Sequence, residues 1–237
     1  MSRRVPFGAV GLAALFVTAL VTSQVTAAKL LGFDLPVALP LTGDVLVLPG
    51  AAVAYALTFF ASDCYAELYG KRAAQELVNT AFFMNFVLLA LVYLTVVAPA
   101  AARNALDPAV YRAVLLQSGN IVAASLLAYL VSQNWDVVVF HRIREATGEE
   151  LLWLRNVGST ATSQLLDTVI FVGVAFYVLP QLGFNPQLGL PLAGIAALML
   201  GQYLLKLLIA VVDTPFVYLV TRAVRSREAG HGDPIMG

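Results

Sequence analysis

Six stretches of mostly apolar residues occupy most of this chain, at 8–28, 46–66, 77–98, 116–139, 158–179 and 191–221. A run of about 20 such residues, wound as a helix, reaches across the ~30 Å hydrocarbon core of a bilayer. Inside that core the backbone must satisfy its own N–H and C=O groups, and a helix does so. Composition agrees. Of 237 residues, 60% are hydrophobic and 12% are charged, about half the ~25% charged share of a soluble domain. Few residues lie outside the runs, so the expectation is one all-α integral membrane domain over 1–237, with six transmembrane helices. The last run is long enough to tilt or to continue beyond the bilayer as a surface helix.

The distribution of Lys and Arg sets the expected orientation. With an inside N-terminus, inner segments carry Arg3, Arg4, Lys71, Arg72, Arg142, Arg144, Arg155, Arg222, Arg225 and Arg227. Outer segments carry Lys29, Arg103 and Arg112, and Lys206 falls within the sixth run. Ten against three places both termini in the cytoplasm. The first run follows a twin arginine and ends in small residues, as an export signal does, but the arginines serve equally as the anchor of an uncleaved first helix. The Pro- and Gly-rich stretches "GFDLPVALPLTGD" and "GFNPQLGLPLAG" read as tight outer turns. "ELYGKRAAQE" and "HRIREATGEELLWLRN" read as inner segments lying on the membrane surface, broken at Gly70 and Gly148.

Several function classes fall away. A formal net charge of zero gives no footprint for nucleic acid. No phosphate-binding glycine loop, CxxC pair or HExxH helix is present, so no ATPase chemistry, metal or other cofactor is expected. His141 and His231 are far apart in sequence and read as solvated loop residues, and Cys64 has no partner in the chain for a disulfide.

The polar residues inside the apolar runs carry the functional signal. A charge at mid-bilayer costs several kcal/mol, roughly 2.5 or more per group, so such residues turn inward and find partners. Asp63 and Glu67 share a face at i, i+4. Lys206 and Asp213 lie two turns apart on one face, with Gln202 one turn before Lys206. "SQNWDVVVF" (132–140) and "SQLLDTVIF" (163–171) nearly repeat each other, setting Gln133 three residues before Asp136 and Gln164 three before Asp167. The two pairs then sit on antiparallel neighbours joined by an inner loop. Two readings stand: solvated helix ends plus a Lys–Asp pair that fixes helix register, or a polar cavity within the bundle. Asp167 and Lys206, farthest from the headgroups, favour the cavity. In "DTP" (213–215) the proline frees backbone carbonyls next to Asp213. Trp135 and Trp153 flank the inner interface as an aromatic belt or as stacking surfaces. Gly50, Ala51, Ala54, Gly119, Ala123 and Ala124 permit close helix approach.

At this point the residues form a recognisable set. "SDCYAELYGKRAA" (62–74) resembles the [ST]-D-x-x-x-E-x-Y-G-x-x-x-A signature of the queuosine precursor transporter family. The middle of the chain is similar to the same family in A-Y-L-x-x-Q, D-V-x-x-F-H, L-W-L-R-N, S-T-x-x-S-Q and D-T-x-x-F, and its last run in K-x-x-x-A-x-x-D-T-P-x-x-Y. Asn134-Trp135 departs from the family, which more often has two aliphatic residues there, and the first run carries no family motif. The resemblance implies a six-helix fold similar to the substrate-binding components of energy-coupling-factor vitamin transporters. It also implies uptake of 7-cyano-7-deazaguanine or 7-aminomethyl-7-deazaguanine for tRNA modification, without an ATPase module.

The residue chemistry suits such a base. A carboxylate accepts from adjacent N–H groups, Gln pairs with a ring carbonyl, and aromatic rings stack on the heterocycle. One of Asp136, Asp167 or Asp213 is expected to grip the guanine edge with help from Gln133 or Gln164, while Lys206 neutralises a neighbouring carboxylate. Partners are then the 7-deazapurine and the bilayer, with no obligatory protein and an oligomer possible. Competing functions are a substrate-binding subunit that needs an external energising module, and an intramembrane enzyme built on Asp167 and Asp213 or on Ser159-Thr160 with His141. A purely structural protein leaves so many intramembrane polar groups without a reason.

Overall fold

A computed structural model describes residues 6–39, 43–147 and 152–230. Arg3, Arg4, Gly148 and His231, and the side chains of Trp153, Arg155 and Arg227, lie outside the described residues. The elements in order are α1 (Phe7–Thr26), β1 (Leu30–Leu39), β2 (Gly43–Pro49), α2 (Ala52–Tyr69), α3 (Lys71–Val97), α4 (Pro108–Leu115), α5 (Gln117–Thr147) and α6 (Leu152–Gly173). A π turn (Val174–Val178) and α7 (Leu179–Gln181) extend α6, and α8 (Leu192–Gly230) follows a short 3-10 turn at Pro186–Leu188.

Among the described residues, five stretches of helix are long and apolar enough to cross a membrane: Phe7–Thr26, Lys71–Val97, Pro108–Thr147, Val157–Gln181 and Leu192–Ser226. The second expected run divides. Its first residues complete β2, and α2 begins only at Ala52. The 18 residues of α2 include Thr58, Ser62, Asp63 and Glu67, which lower its hydropathy below that of the others.

The structure is mostly helical, but it is not all helix. The proline-rich first outer segment, expected as a tight turn, forms an antiparallel hairpin in which Leu30 pairs with Pro49 and Asp34 with Val45. The register breaks between Asp34 and Leu39, where Pro36 has no N–H to give to a ladder. Val45 and Val47 favour extended backbone, and Gly50 donates its N–H to the Lys29 carbonyl at 2.5 Å, closing the hairpin base.

At the opposite end, Gly70 is a sharp corner. Its φ of 88° ends α2, and α3 starts at the next residue. The break expected at Gly70 is there, but the charged residues on either side continue the helices instead of forming a separate surface segment. The same holds for His141 to Glu145, which extend α5. The turn between α6 and α8 has a physical cause in Pro180. In an α-helix the Phe176 carbonyl would pair with residue 180, which lacks an N–H. The helix loosens into its π turn instead, and Phe176 O accepts from Leu190 N at 2.9 Å.

Buried apolar residues gather in three clusters. Ala27, Ala51, Ile121, Phe176 and Leu198 meet beneath the hairpin, while Ala9, Leu12, Cys64, Leu68 and Tyr69 meet near Gly70. A Cβ at Gly201 would overlap the Val47 carbonyl, so the absence of a side chain lets α8 lie against β2. Phe16, Ala61, Leu77 and Ala81 join α1, α2 and α3 in a third cluster, and beside it the helices leave a gap.

Candidate functional site

The gap is a cavity of about 260 Å³ beneath the hairpin, lined by α1, α2, α3, α5, α6 and α8. Its walls are mainly apolar and aromatic, including Phe16, Phe59, Phe82 and Phe171. Into it project Asp167 and Lys206, from the middle of α6 and α8. Lys206 Nζ donates to Asp167 Oδ2 at 2.5 Å, and the lysine side chain is only 3% exposed. Ser132 Oγ donates to the other carboxylate oxygen at 3.4 Å. The Tyr55 ring stands 5.5 Å from the ammonium, within cation–π range. Removing either charge would leave the other buried and unpaired.

The paired motifs of α5 and α6 meet in antiparallel register. Ser132 reaches Asp167, and Ser163 Oγ donates to Asp136 Oδ1 at 3.1 Å. Each serine opens one motif and bonds the aspartate of the other, so the sequence similarity corresponds to a local two-fold relation between the helices. Lys206 pairs with Asp167 on a neighbouring helix, across the bundle and not along α8.

Of the residues singled out from sequence, the cavity brings together Asp167, Lys206, Gln133, Gln164 and Gln202. Asp136 lies below it, held by Ser163. Asp213 borders an apolar groove between α2 and α8, beside Phe60 and Phe216, and interacts electrostatically with Asp63. Glu67 is tied to α8 by Arg225, whose Nη2 donates to the Glu67 carboxylate at 2.8 Å and to its carbonyl at 2.9 Å. Trp135 is exposed on the bundle surface.

Sequence reasoning passed over Gln24 and Asn85. Both are buried, at 3% exposure each, and both line the cavity. Gln24 Nε2 donates to Ser125 Oγ at 3.4 Å, joining α1 to α5. Asn85 Nδ2 donates to the carbonyls of Ala81 and Phe82. The amide oxygens of Gln24, Asn85, Gln164 and Gln202 are buried without a hydrogen-bond partner, and all four residues line this cavity. The signal was available: an amide in the middle of an apolar run carries the same desolvation cost, in smaller measure, as a charge. No group of His, Cys, Asp and Glu able to hold a metal ion occurs among the described residues.

Residues 49–220 match a protein family described as "Putative vitamin uptake transporter". The chain is 31% identical over 182 residues to the "Probable queuosine precursor transporter" of Bacillus subtilis (strain 168), covering 74% of this chain and 72% of that protein. It is 26% identical over 123 residues to the protein of the same name from Haemophilus influenzae (strain ATCC 51907 / DSM 11121 / KW20 / Rd), covering 50% of this chain and 48% of that one. No solved structure matches.

Proposed function

This chain belongs to the "Putative vitamin uptake transporter" family, and from that premise we propose that it imports a free 7-deazaguanine across the cell membrane for tRNA modification. The substrate in this reading is 7-cyano-7-deazaguanine or 7-aminomethyl-7-deazaguanine, precursors of queuosine and, in an archaeon, of archaeosine. The observation that carries it is the cavity: about 260 Å³ of aromatic and apolar wall holding one ion pair and several amides. Ligand pockets run from roughly 300 Å³ upward, so this one suits a pair of fused rings better than a nucleoside. The flat heterocycle stacks against the phenyl rings while the polar groups read its edges.

The membrane arrangement follows from the same reading. At 18 residues and about 1.5 Å per residue, α2 is roughly 27 Å long, close to the core thickness, and it packs on α1, α3 and α8. It serves as the sixth span. The bias of Lys and Arg puts both termini and Gly70 in the cytoplasm, the hairpin outside, and the cavity in the outward half. Asp136, Asp213, Asp63 and Glu67 then act outside the pocket, in helix pairing and in coupling to an energy source.

Accumulation of labelled 7-deazaguanines by cells lacking both their own synthesis and their own transporter tests the proposal. Expression of this chain restores accumulation, and Asp167→Ala abolishes it; wild-type uptake by that variant, or no uptake by the intact chain, rejects the assignment. A parallel arm with a proton uncoupler tests whether uptake is driven by protons, for which Asp63 and Glu67 are the candidate carriers.

A further inference from the structure

We propose that the cavity selects a ligand of zero net charge, reads its N–H donors with the amide oxygens of Gln24, Asn85, Gln164 and Gln202, and rejects the cationic form of the same ring. The proposal rests on the transport reading above for its choice of ring, and on the cavity's hydrogen bonds and charges for the rest.

The four oxygens belong to residues that line the cavity, and no protein donor satisfies them. Each is buried and without a partner, a state that is unfavourable until a donor arrives. The orientation of Asn85 is fixed by chemistry. Its amide contacts the carbonyls of Ala81 and Phe82, which only accept, so the nitrogen must face them and the oxygen must face away. Asp167, by contrast, is already engaged. One oxygen accepts from Lys206 and the other from Ser132. Part of its accepting capacity is therefore already used, and the amides supply the further acceptors that reading a base requires. A 7-deazaguanine brings N–H groups from its ring nitrogens and its exocyclic amine, which answers a set of unpaired acceptors.

The charge count leads to the second half. Among the described residues, Asp167 and Lys206 are the only acid and base lining the cavity. Whether the shared proton sits on Nζ or on Oδ2, their sum is zero. An entering cation meets no free counter-ion. It remains uncompensated in a poorly polarisable site, or it takes Asp167 and strands an ammonium that is 3% exposed, and both routes are costly. A nitrile on the ring adds no charge, whereas an aminomethyl group is protonated at neutral pH, as an alkylamine is.

The test compares the two bases on the purified full chain in lipid nanodiscs, by calorimetric titration. The wild-type chain binds the cyano base at least about tenfold more tightly than the aminomethyl base. Lys206→Met makes the lining anionic and shifts the ratio toward the aminomethyl base by about the same factor. Asp167→Asn combined with Lys206→Met restores a neutral lining and the wild-type order of preference, and it guards against a single variant that does not fold. Equal or tighter binding of the aminomethyl base by wild type overturns the proposal alone, as does a ratio that Lys206→Met leaves unmoved. Binding of neither base removes the 7-deazaguanine reading, and this proposal with it.

Discussion

Lys206 and Asp167 show how much one residue depends on its partner. Neither charge is tolerable alone at this depth, so Lys206→Met by itself should lower stability by about 3–5 kcal/mol, while the double variant with Asp167→Asn should come back close to wild type. Thermal unfolding of the three forms in one detergent measures this, and equal melting of the single and double variants would contradict the pairing. Asn85 makes the opposite case. Its oxygen is buried and unpaired, so Asn85→Leu should leave stability unchanged or slightly higher while weakening the base by about 1–3 kcal/mol, roughly ten- to a hundredfold in Kd. A fall in melting temperature with unchanged affinity would mean that Asn85 is structural. The charges were legible in the sequence because an apolar run advertises them. Their partners were not. Lys206 and Asp213 share a helix face, which sequence shows, whereas the contact with Asp167 depends on how α6 and α8 pack, which no local spacing encodes. A single amide such as Gln24 is cheap enough in lipid to pass for background.

Elements were legible where one period dominated. The long runs became helices, and Gly70 ended one as expected because a left-handed corner suits a residue without a Cβ. The hairpin was missed because the apolar stretch "VLVLPG" (45–50) fits a strand or a helix start equally well. Pairing across β1 decided it. The cost of that choice falls on α8, which must approach β2 closely enough that Gly201 cannot carry a side chain. Gly201→Val should therefore destabilise by about 1–3 kcal/mol and displace the cavity roof, lowering affinity for the base as well. A valine there that preserves both melting temperature and binding would show that the contact gives way easily. The exposed Glu67–Arg225 pair joins α2 to α8 at the other end, yet both side chains are nearly half exposed, at 48% and 46%. Glu67→Gln should cost at most about 1 kcal/mol after solvent screening, so the two ends of α8 differ sharply in what they contribute.

At the scale of the whole molecule, the membrane helices share one problem: they must bury polar groups in a solvent that offers those groups nothing. The bundle meets it by collecting the ion pair and the amides around one cavity and by closing that cavity with a hairpin. On the proposed reading, the positive-inside distribution puts the hairpin outside, because Lys and Arg concentrate at the Gly70 end. This orientation has a direct chemical test. Cys64 is the chain's single cysteine and is fully buried, so it gives little background to a membrane-impermeant maleimide. Val37, 70% exposed on the hairpin, and Ser226, exposed near the end of α8, mark the two ends. Val37→Cys should label in intact spheroplasts, and Ser226→Cys only after permeabilisation. The reverse pattern would put the hairpin inside, and the cavity would then open toward the cytoplasm, where it would serve release of the base and not its capture.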